Sequence, residues 1–479
     1  MLMFREGGHD RGSNHAALSG HARTGAVEHA SLQGSRGLER AGLHQLARYQ
    51  HVLLLQGPNG PFFARLRNYL ELAGRRVSKV NFNGGDDFFY RRGAIERFTQ
   101  PMPAWEAFLR KLLVEQRIDA IVVFGSSRRH HRIAARLAKE LEIAFWVFEE
   151  GYVRPDYITL EEGGVNADSP IAAWELDSVP AVPRPAQKRH FTHAFAKMAW
   201  YSFLYFGGGI TRRMTYPHYR HHKPFGFHEI ALWLRAAYRK HRYRAQEREI
   251  KARLLADNHP PFFLVALQVY NDSQIRVHSP WRRIEDFIEW TIYSFANNAP
   301  ADCLLVIKHH PMDRGHTNYE RAIADCAARF GATDRVVYIH DAHLPSLLHR
   351  CSGLITVNST TGLQALYHRV PVIALGRCFY AKPGITYQGS LDRFWSECPP
   401  VDTRAFTRFR NGLIHGSQVN SSFYADKSVG ELTQRHHRFW RRCCQLASAV
   451  GLVVVDAYGG LDFASMTRWV SAVVVSLVG

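Results

Sequence analysis

The sequence predicts an α/β protein built on two doubly wound, mostly parallel sheets. Short apolar runs rich in β-branched residues alternate with amphipathic stretches, the rhythm of strands joined by crossover helices. The rhythm runs from His51 to about Pro170, fails, and resumes at Phe262. Several runs end in loops of Gly, His, Ser or carboxylate residues, where open α/β sheets bind ligands.

Residues 1–45 are expected to be a disordered tail, because the sequence to about Leu43 is Gly, His, Ser and Arg without apolar periodicity. Residues 46–170 read as a first Rossmann-like domain. Its strands are Val52–Leu55, Val77–Phe82, Ala120–Phe124 and Ile143–Phe148, and its helices Phe62–Ala73, Trp105–Val114 and Arg132–Leu141. Gly74 stands just past the first helix, a usual stop. Residues 171–258 read as a basic helical connection. It holds the Pro-rich Val179–Pro185, an aromatic patch Trp200–Phe206 and a helical stretch Trp233–Leu255.

Residues 259–400 read as a second Rossmann-like domain. Strands fall at Phe262–Ala266, Leu304–Ile307, Arg335–Ile339, Gly353–Val357 and Pro371–Leu375. Helices fall at Trp281–Phe295, Tyr319–Phe330, Leu344–His349 and Thr361–Tyr367. Residues 401–479 read as a helical segment and tail, and the stretch from Asp456 fits no element by its pattern.

Lys and Arg number 61 against 42 Asp and Glu, a net charge of +19, which favours polyanionic partners: nucleic acid, acidic glycan, anionic lipid or nucleotide. Nucleic-acid binding has only this charge behind it, with no module's aromatic and basic motif. The 7 Cys, two of them adjacent at Cys443–Cys444, show no metal or disulfide framework, so a reducing cytoplasm is the expected compartment. No signal-peptide pattern opens the chain and no uncharged apolar run approaches the ~20 residues that span a bilayer.

Three loops carry residues suited to one reaction. Lys308–His309–His310–Pro311 ends a buried strand with positive charge and groups that titrate near neutrality. Asn358–Ser359–Thr360–Thr361–Gly362 follows another strand and opens a helix, offering hydroxyls and free N–H groups to an anion; an ordinary helix cap uses the same residues. Glu149–Glu150–Gly151 ends a strand of the first half, and two adjacent carboxylates suit acid/base work, although a solvated acidic loop is the commoner use. Held together, they would grip the phosphate of a nucleoside monophosphate while a carboxylate serves the sugar being transferred. Such a leaving group needs no metal, and no DxD or His/Asp cluster stands out; Asp86–Asp87 comes nearest. Gln268, after the first strand of the second half, stands where a base or sugar could be read, although a plain polar loop is the commoner use of this stretch and of the next. Arg128 and His131, after Ala120–Phe124, suit an acidic acceptor.

With these residues in view, the chain resembles the capsule polysaccharide biosynthesis family, in particular its KpsS-type members, which are β-Kdo transferases. The likeness rests on Gln56–Gly57–Pro58–Asn59–Gly60–Pro61–Phe62–Phe63, Asn81–Phe82–Asn83–Gly84–Gly85–Asp86 and Phe148–Glu149–Glu150–Gly151–Tyr152–Val153–Arg154–Pro155–Asp156, then on Lys308–His309–His310–Pro311–Met312–Asp313–Arg314–Gly315 and Asn358–Ser359–Thr360–Thr361–Gly362. It spans roughly His51 to Asn420.

The resemblance implies a GT-B-like fold, two Rossmann-type domains facing across a cleft. It implies a glycosyltransferase that moves Kdo, an eight-carbon acidic sugar, from CMP-Kdo to a phosphatidylglycerol-type glycolipid in capsule linker assembly, with no cofactor beyond the donor. Glu149, Glu150 and His310 would be catalytic. Gln268, Lys308, His309, Pro311, Asn358, Ser359 and Thr360 would bind the CMP-sugar. Gln56, Asn59, Arg128, His131 and Arg154 would meet the acceptor. Partners would be the CMP-sugar, an anionic glycolipid, the inner-membrane surface and capsule assembly proteins, without nucleic acid. The place would be the cytoplasm, at the inner face of the membrane. The related bacterial sialyltransferases invert the sugar, whereas a CMP-β-Kdo donor and a β product mean net retention. Glu149 and Glu150 thus stay open as nucleophile, base or stabiliser of the sugar cation. Trp200–Phe206 beside Arg212–Arg213, and the run Arg235–Arg253, suit anionic lipid or a solvated basic helix equally. Another CMP-sugar (sialyl-type) transferase and a non-catalytic glycolipid-binding or export protein are the competing readings.

Overall fold

The computed structural model describes residues 40–183, 189–191, 194–220 and 227–425, all within one compact unit. The expected tail to residue 39, Cys443–Cys444 and the stretch from Asp456 lie outside the described residues. From Arg40 the chain is packed: Ala41 is buried and its N–H donates to the His415 carbonyl at 2.6 Å, so the predicted tail runs a few residues too far.

The first sheet holds β1 (His51–Leu54), β2 (Arg76–Asn81), β3 (Ala94–Arg97), β4 (Ala120–Phe124), β5 (Ala144–Glu150) and β6 (Ile158–Glu162). The second holds β7 (Phe262–Ala266), β8 (Leu304–Lys308), β9 (Val336–Ile339), β10 (Gly353–Thr356) and β11 (Val372–Ala374). The last strand, β12 (Gln418–Val419), returns to the first sheet, antiparallel to β6. Strand orders are β12-β6-β5-β4-β1-β2-β3 and β11-β10-β7-β8-β9. Apart from β6 and β12 every pairing is parallel. Each sheet therefore contains the doubly wound Rossmann order, whose winding reverses between β1 and β4 and again between β7 and β10. The expected two-sheet α/β architecture is present. β1, β7 and β8 are buried along their whole length, which is why they read as unbroken apolar runs rather than alternating ones.

The helices are α1 (Phe62–Leu72), α2 (Gly84–Phe89), α3 (Trp105–Glu115), α4 (Arg129–Glu140), α5 (Ala194–Thr211), α6 (Phe227–Gln246), α7 (Arg248–Leu255), α8 (Ser273–His278), α9 (Ile284–Asn298), α10 (Glu320–Arg329), α11 (Leu344–Leu348), α12 (Thr361–Tyr367), α13 (Leu391–Glu397) and α14 (Thr403–Ser417). Several short elements escape the pattern, β12 among them. β3 is half exposed, β6 runs antiparallel, and α2 occupies what the sequence offers as the loop Asn83–Asp87. Asn83 caps α2, its side-chain oxygen accepting from the N–H of Gly85 and of Asp86 at 2.7 and 3.0 Å.

The glycines of α2 exist for α5. A Cβ on Gly84 would lie 2.0 Å from the Gly208 carbonyl oxygen, and one on Gly85 2.4 Å from that of Tyr205. Backbone meets backbone, and neither helix can shift without unseating the other. Gly84→Ala is therefore expected to lower stability by about 2 kcal/mol, read as an earlier urea midpoint with an unchanged slope.

The basic connection is largely engaged with protein. On α6 the Arg235 Nε donates to the Gly315 carbonyl at 2.7 Å, and Arg239 donates to that of Arg314 at 2.9 Å. On α7 Lys251 donates to the Asp341 carbonyl at 2.9 Å. Glu247, between these helices, accepts from the N–H of His340 and of Asp341 at 2.7 and 2.9 Å. The expectation that the run Arg235–Arg253 faces lipid is corrected for these three cations, which hold the loops beyond β8 and β9.

Candidate functional site

In the first sheet β5 delivers Glu149 and Glu150. As consecutive strand residues they point to opposite faces and meet different neighbours. The Glu149 Oε1 accepts the Glu150 N–H at 3.0 Å, and its Oε2 lies 3.8 Å from where a Cβ on Gly125 would stand. Gly125 follows β4 with φ +71°, a conformation that favours glycine. Burial pushes the Glu149 carboxyl up to about 7; the bond from the Glu150 N–H opposes this, the Glu150 charge adds to it, and Arg128 and Arg154 pull back. Burial also raises Glu150, against Arg154 and a hydrogen bond from Tyr424. The acid pair is thus two distinct carboxyls and not a dyad sharing one proton.

Of the five expected acceptor contacts, Arg128 and Arg154 stand beside this pair. Arg128 is half-buried, and its Nη1 has no protein partner among the described residues. Arg154 donates to the Gly151 carbonyl at 3.1 Å. The other three are engaged with protein groups. His131 is fully buried, its Nδ1 2.6 Å from the Gly125 carbonyl oxygen; burial and neighbouring cations hold it neutral, so it fixes the turn beside Glu149. Gln56 donates to the hydroxyls of Tyr205 and Tyr219 at 2.8 and 2.7 Å. Asn59 donates to the Ser202 hydroxyl at 3.2 Å. Both tie the end of β1 to α5.

In the second sheet β8 ends at Lys308. Its buried ammonium, pushed down to about 8, reaches the His309 carbonyl at 3.4 Å. His309 extends the pairing, its N–H donating to the Ile339 carbonyl at 2.8 Å. Its imidazole is buried with Nδ1 2.6 Å from the Tyr338 hydroxyl, and burial with the charge of His340 pushes it down to about 3. The expected positive charge of His309 is thus corrected: next to Lys308 on an extended chain, it points into the core and stays neutral. His310 is half exposed. It caps the turn Pro311–Asp313, its Nδ1 accepting the Met312 N–H at 3.2 Å. That bond leaves the ring proton on Nε2, which makes His310 a donor. Pro311 opens the turn.

At the switch point of this sheet, Gln268 and Asn358 pair reciprocally. The Gln268 Nε2 donates to the Asn358 Oδ1 at 3.0 Å, and its Oε1 accepts the Asn358 N–H at 3.1 Å. Ser359 and Thr361 join hydroxyl to hydroxyl at 3.0 Å. Thr360 stands half-buried without a side-chain cap bond. α12 has only seven residues, so hydroxyls and N–H groups, more than a helix dipole, make this loop suitable for an anion.

Residues absent from the sequence-based set join these loops. Asp313 is buried, and its Oδ2 accepts from the Tyr270 N–H at 2.8 Å and the Thr317 hydroxyl at 3.2 Å, tying the loop after β7 to the His310 turn. The Tyr380 hydroxyl donates to the Ser359 carbonyl; a Cβ on Gly362 would lie 2.3 Å from that hydroxyl, which is why glycine stands there. Tyr152, two residues beyond Glu150, stacks on Phe379 with ring centroids 4.3 Å apart. The segment just beyond Glu150 thus meets the second sheet where Tyr152 stacks on Phe379, next to Tyr380, which holds the Ser359 carbonyl, while Asp313 ties the loop after β7 to the His310 turn. Tyr380 and Tyr424 lie in no loop that the sequence singles out; Tyr424 hydrogen-bonds Glu150 from beyond β12. No group of three or more His, Cys, Asp or Glu residues placed to hold a metal occurs among the described residues.

Residues 119–424 match the family described as capsule polysaccharide biosynthesis protein. The chain is 40% identical over 375 residues to the capsule polysaccharide export protein KpsS of Escherichia coli, covering 78% of this chain and 96% of that protein. The chain belongs to the capsule polysaccharide biosynthesis family. The capsule polysaccharide modification protein LipB of Neisseria meningitidis is 39% identical over 385 residues, covering 78% of this chain and 92% of that one. Solved structures align more loosely with this family member. A Thermosulfurimonas dismutans KpsC β-Kdo 2,7 transferase aligns at TM-score 0.37 and 12% identity, over 76% of this chain and 94% of that chain. Anabaena HepE with UDP-glucose aligns at TM-score 0.30 and 12% identity, over 76% and 93%. No helix among the described residues of this family member is long and apolar enough to cross a membrane.

The bridge between the sheets carries its own pH dependence. Tyr152 donates from its hydroxyl to the buried Glu161 at 3.1 Å and accepts the Asn166 N–H at 2.6 Å. Burial pushes the Glu161 carboxyl up to about 8. The folded chain then keeps a proton that the unfolded chain releases. This stabilisation is complete below the ordinary carboxylate range and is lost as pH rises towards 8. The urea midpoint should fall between about pH 5 and pH 8, each such group contributing at most about 1.4 kcal/mol per pH unit. Glu161→Gln should flatten the fall, and Glu149 leaves a residual slope of the same sign.

Proposed function

We propose that this protein is a CMP-Kdo-dependent glycosyltransferase acting on a phosphatidylglycerol-type glycolipid in capsule assembly. The observation that carries the reading is the Tyr152–Phe379 stack, which packs the segment just beyond Glu150 against the one whose Tyr380 hydroxyl holds the Ser359 carbonyl. In this reading the bond between the anomeric carbon and the phosphate oxygen breaks, and CMP leaves with the electron pair. Ser359, Thr360 and Lys308 hold its phosphate, and the His310 Nε2–H donates to it. The acceptor hydroxyl forms the new bond on the same face of the sugar that the phosphate leaves, which keeps the configuration, and gives up its proton. Glu149, poised near neutrality, suits that proton. Glu150, braced by Tyr424, suits the positive charge that develops on the sugar. Arg128 suits an acidic acceptor. Support comes from family membership, from the carboxyls' distinct environments and from the donor groups gathered at the second sheet's switch point.

The test incubates purified protein with CMP-Kdo or CMP-sialic acid and a lysophosphatidylglycerol acceptor, following CMP release and product mass. CMP-Kdo-dependent product supports the proposal. Turnover of CMP-sialic acid alone replaces the donor. Glycolipid binding without turnover of either donor favours a non-catalytic export role.

A further inference from the structure

α5 has two contrasting faces. Tyr201, Tyr205 and Gly208 are buried against α2. Phe195, Phe203 and Ile210 are 57%, 41% and 59% exposed, and Met214, just beyond the helix, is 92% exposed. At 3.6 residues per turn Phe195, Phe203 and Ile210 fall within about 80° of arc, opposite the buried three, and Met214 follows in the turn after the helix. Large exposed apolar groups in one stripe mark a contact surface. Its charge indicates the kind of contact. Residues 178–228 contain no Asp or Glu and eight Lys or Arg. Arg213, exposed, lies at the end of the stripe. α5 is 18 residues long and does not qualify as a membrane span. An apolar stripe with the exposed Arg213 at its end, in a segment whose charges are all basic, fits the headgroup boundary of an anionic bilayer; a nucleic acid would leave the stripe uncovered.

The helix also stands in the right place. Its inner face holds the end of β1 through Gln56 and Asn59. Tyr424 packs with Phe89, Tyr201 and Tyr205 and hydrogen-bonds Glu150. One side chain thus separates the buried face of α5 from the carboxylate.

We infer that α5 lies in the surface of an anionic bilayer, with Phe195, Phe203, Ile210 and Met214 entering the headgroup boundary, and so brings a lipid-linked acceptor to Glu150. The delivery clause rests on the proposed transferase function; the lipid contact does not. The full chain is floated with phosphatidylcholine–phosphatidylglycerol vesicles and with pure phosphatidylcholine vesicles. The wild type should float with the mixed vesicles only. The triple variant Phe203→Glu, Ile210→Glu, Met214→Glu, with all three sites exposed, should bind them at least about tenfold more weakly. It should also lose rate on vesicle-embedded acceptor while keeping the wild-type rate on a short-chain soluble one. A triple variant that floats like wild type overturns the inference, as does equal flotation on pure phosphatidylcholine. A wild-type dimer that the triple variant converts to monomer, without loss of flotation, assigns the stripe to a second copy instead. Absence of turnover on both acceptors counts against the transferase reading alone, and flotation still decides the lipid contact.

Discussion

Glu150→Gln is expected to lower sugar transfer by about a thousandfold with no loss of stability. The amide keeps the shape of the side chain and can still accept the Tyr424 hydroxyl, so packing is preserved. It removes the negative charge the proposed reaction needs as the sugar turns cationic. Burial raises the Glu150 carboxyl, so the charge itself costs stability at neutral pH; the variant should unfold at the same urea concentration as wild type or a slightly higher one. CMP release under single-turnover conditions measures the first effect and a urea titration the second. Wild-type turnover in the folded variant would remove Glu150 from the chemistry.

His310→Ala should reduce transfer by about a hundredfold and weaken product CMP. His310 is half exposed, and its Nδ1 accepts the Met312 N–H of the turn. The variant should therefore fold, losing a modest cap and the donor that the proposed reaction sets against the phosphate. Turnover measures the first effect, and calorimetry with CMP the second. Undiminished turnover with unchanged CMP affinity would place the donor phosphate elsewhere. His309→Ala makes the contrasting control: its imidazole is buried against Tyr338, so that change acts first on stability.

Most of the architecture was legible because its signals are local. β7 and β10, and the turn at Pro311, announce themselves through apolar runs and turn residues only a few positions long. β6 and β12 were not legible. β6 sits beside β5 after a reversal carried by Gly151–Tyr157, and β12 is a two-residue strand arriving from the end of α14. The aromatic patch Trp200–Phe206 was visible, but not that one side of it locks onto Gly84 and Gly85.

The sequence alone determined the two alternating α/β halves, the family, and which loops end strands: Glu149–Glu150, Lys308–Pro311 and Asn358–Gly362. Periodicity and turn chemistry act over a few residues, so they survive in a string of letters. Only the tertiary structure decided which member of each loop stays partly exposed and which is absorbed by packing. His310 is half exposed while His309 is buried and neutral, and His131 and Gln56 brace the first sheet. Tyr424, Tyr380 and Asp313 enter from distant segments. Those outcomes depend on burial and on hydrogen-bond partners scores to hundreds of residues away, and no local pattern encodes which partner will arrive.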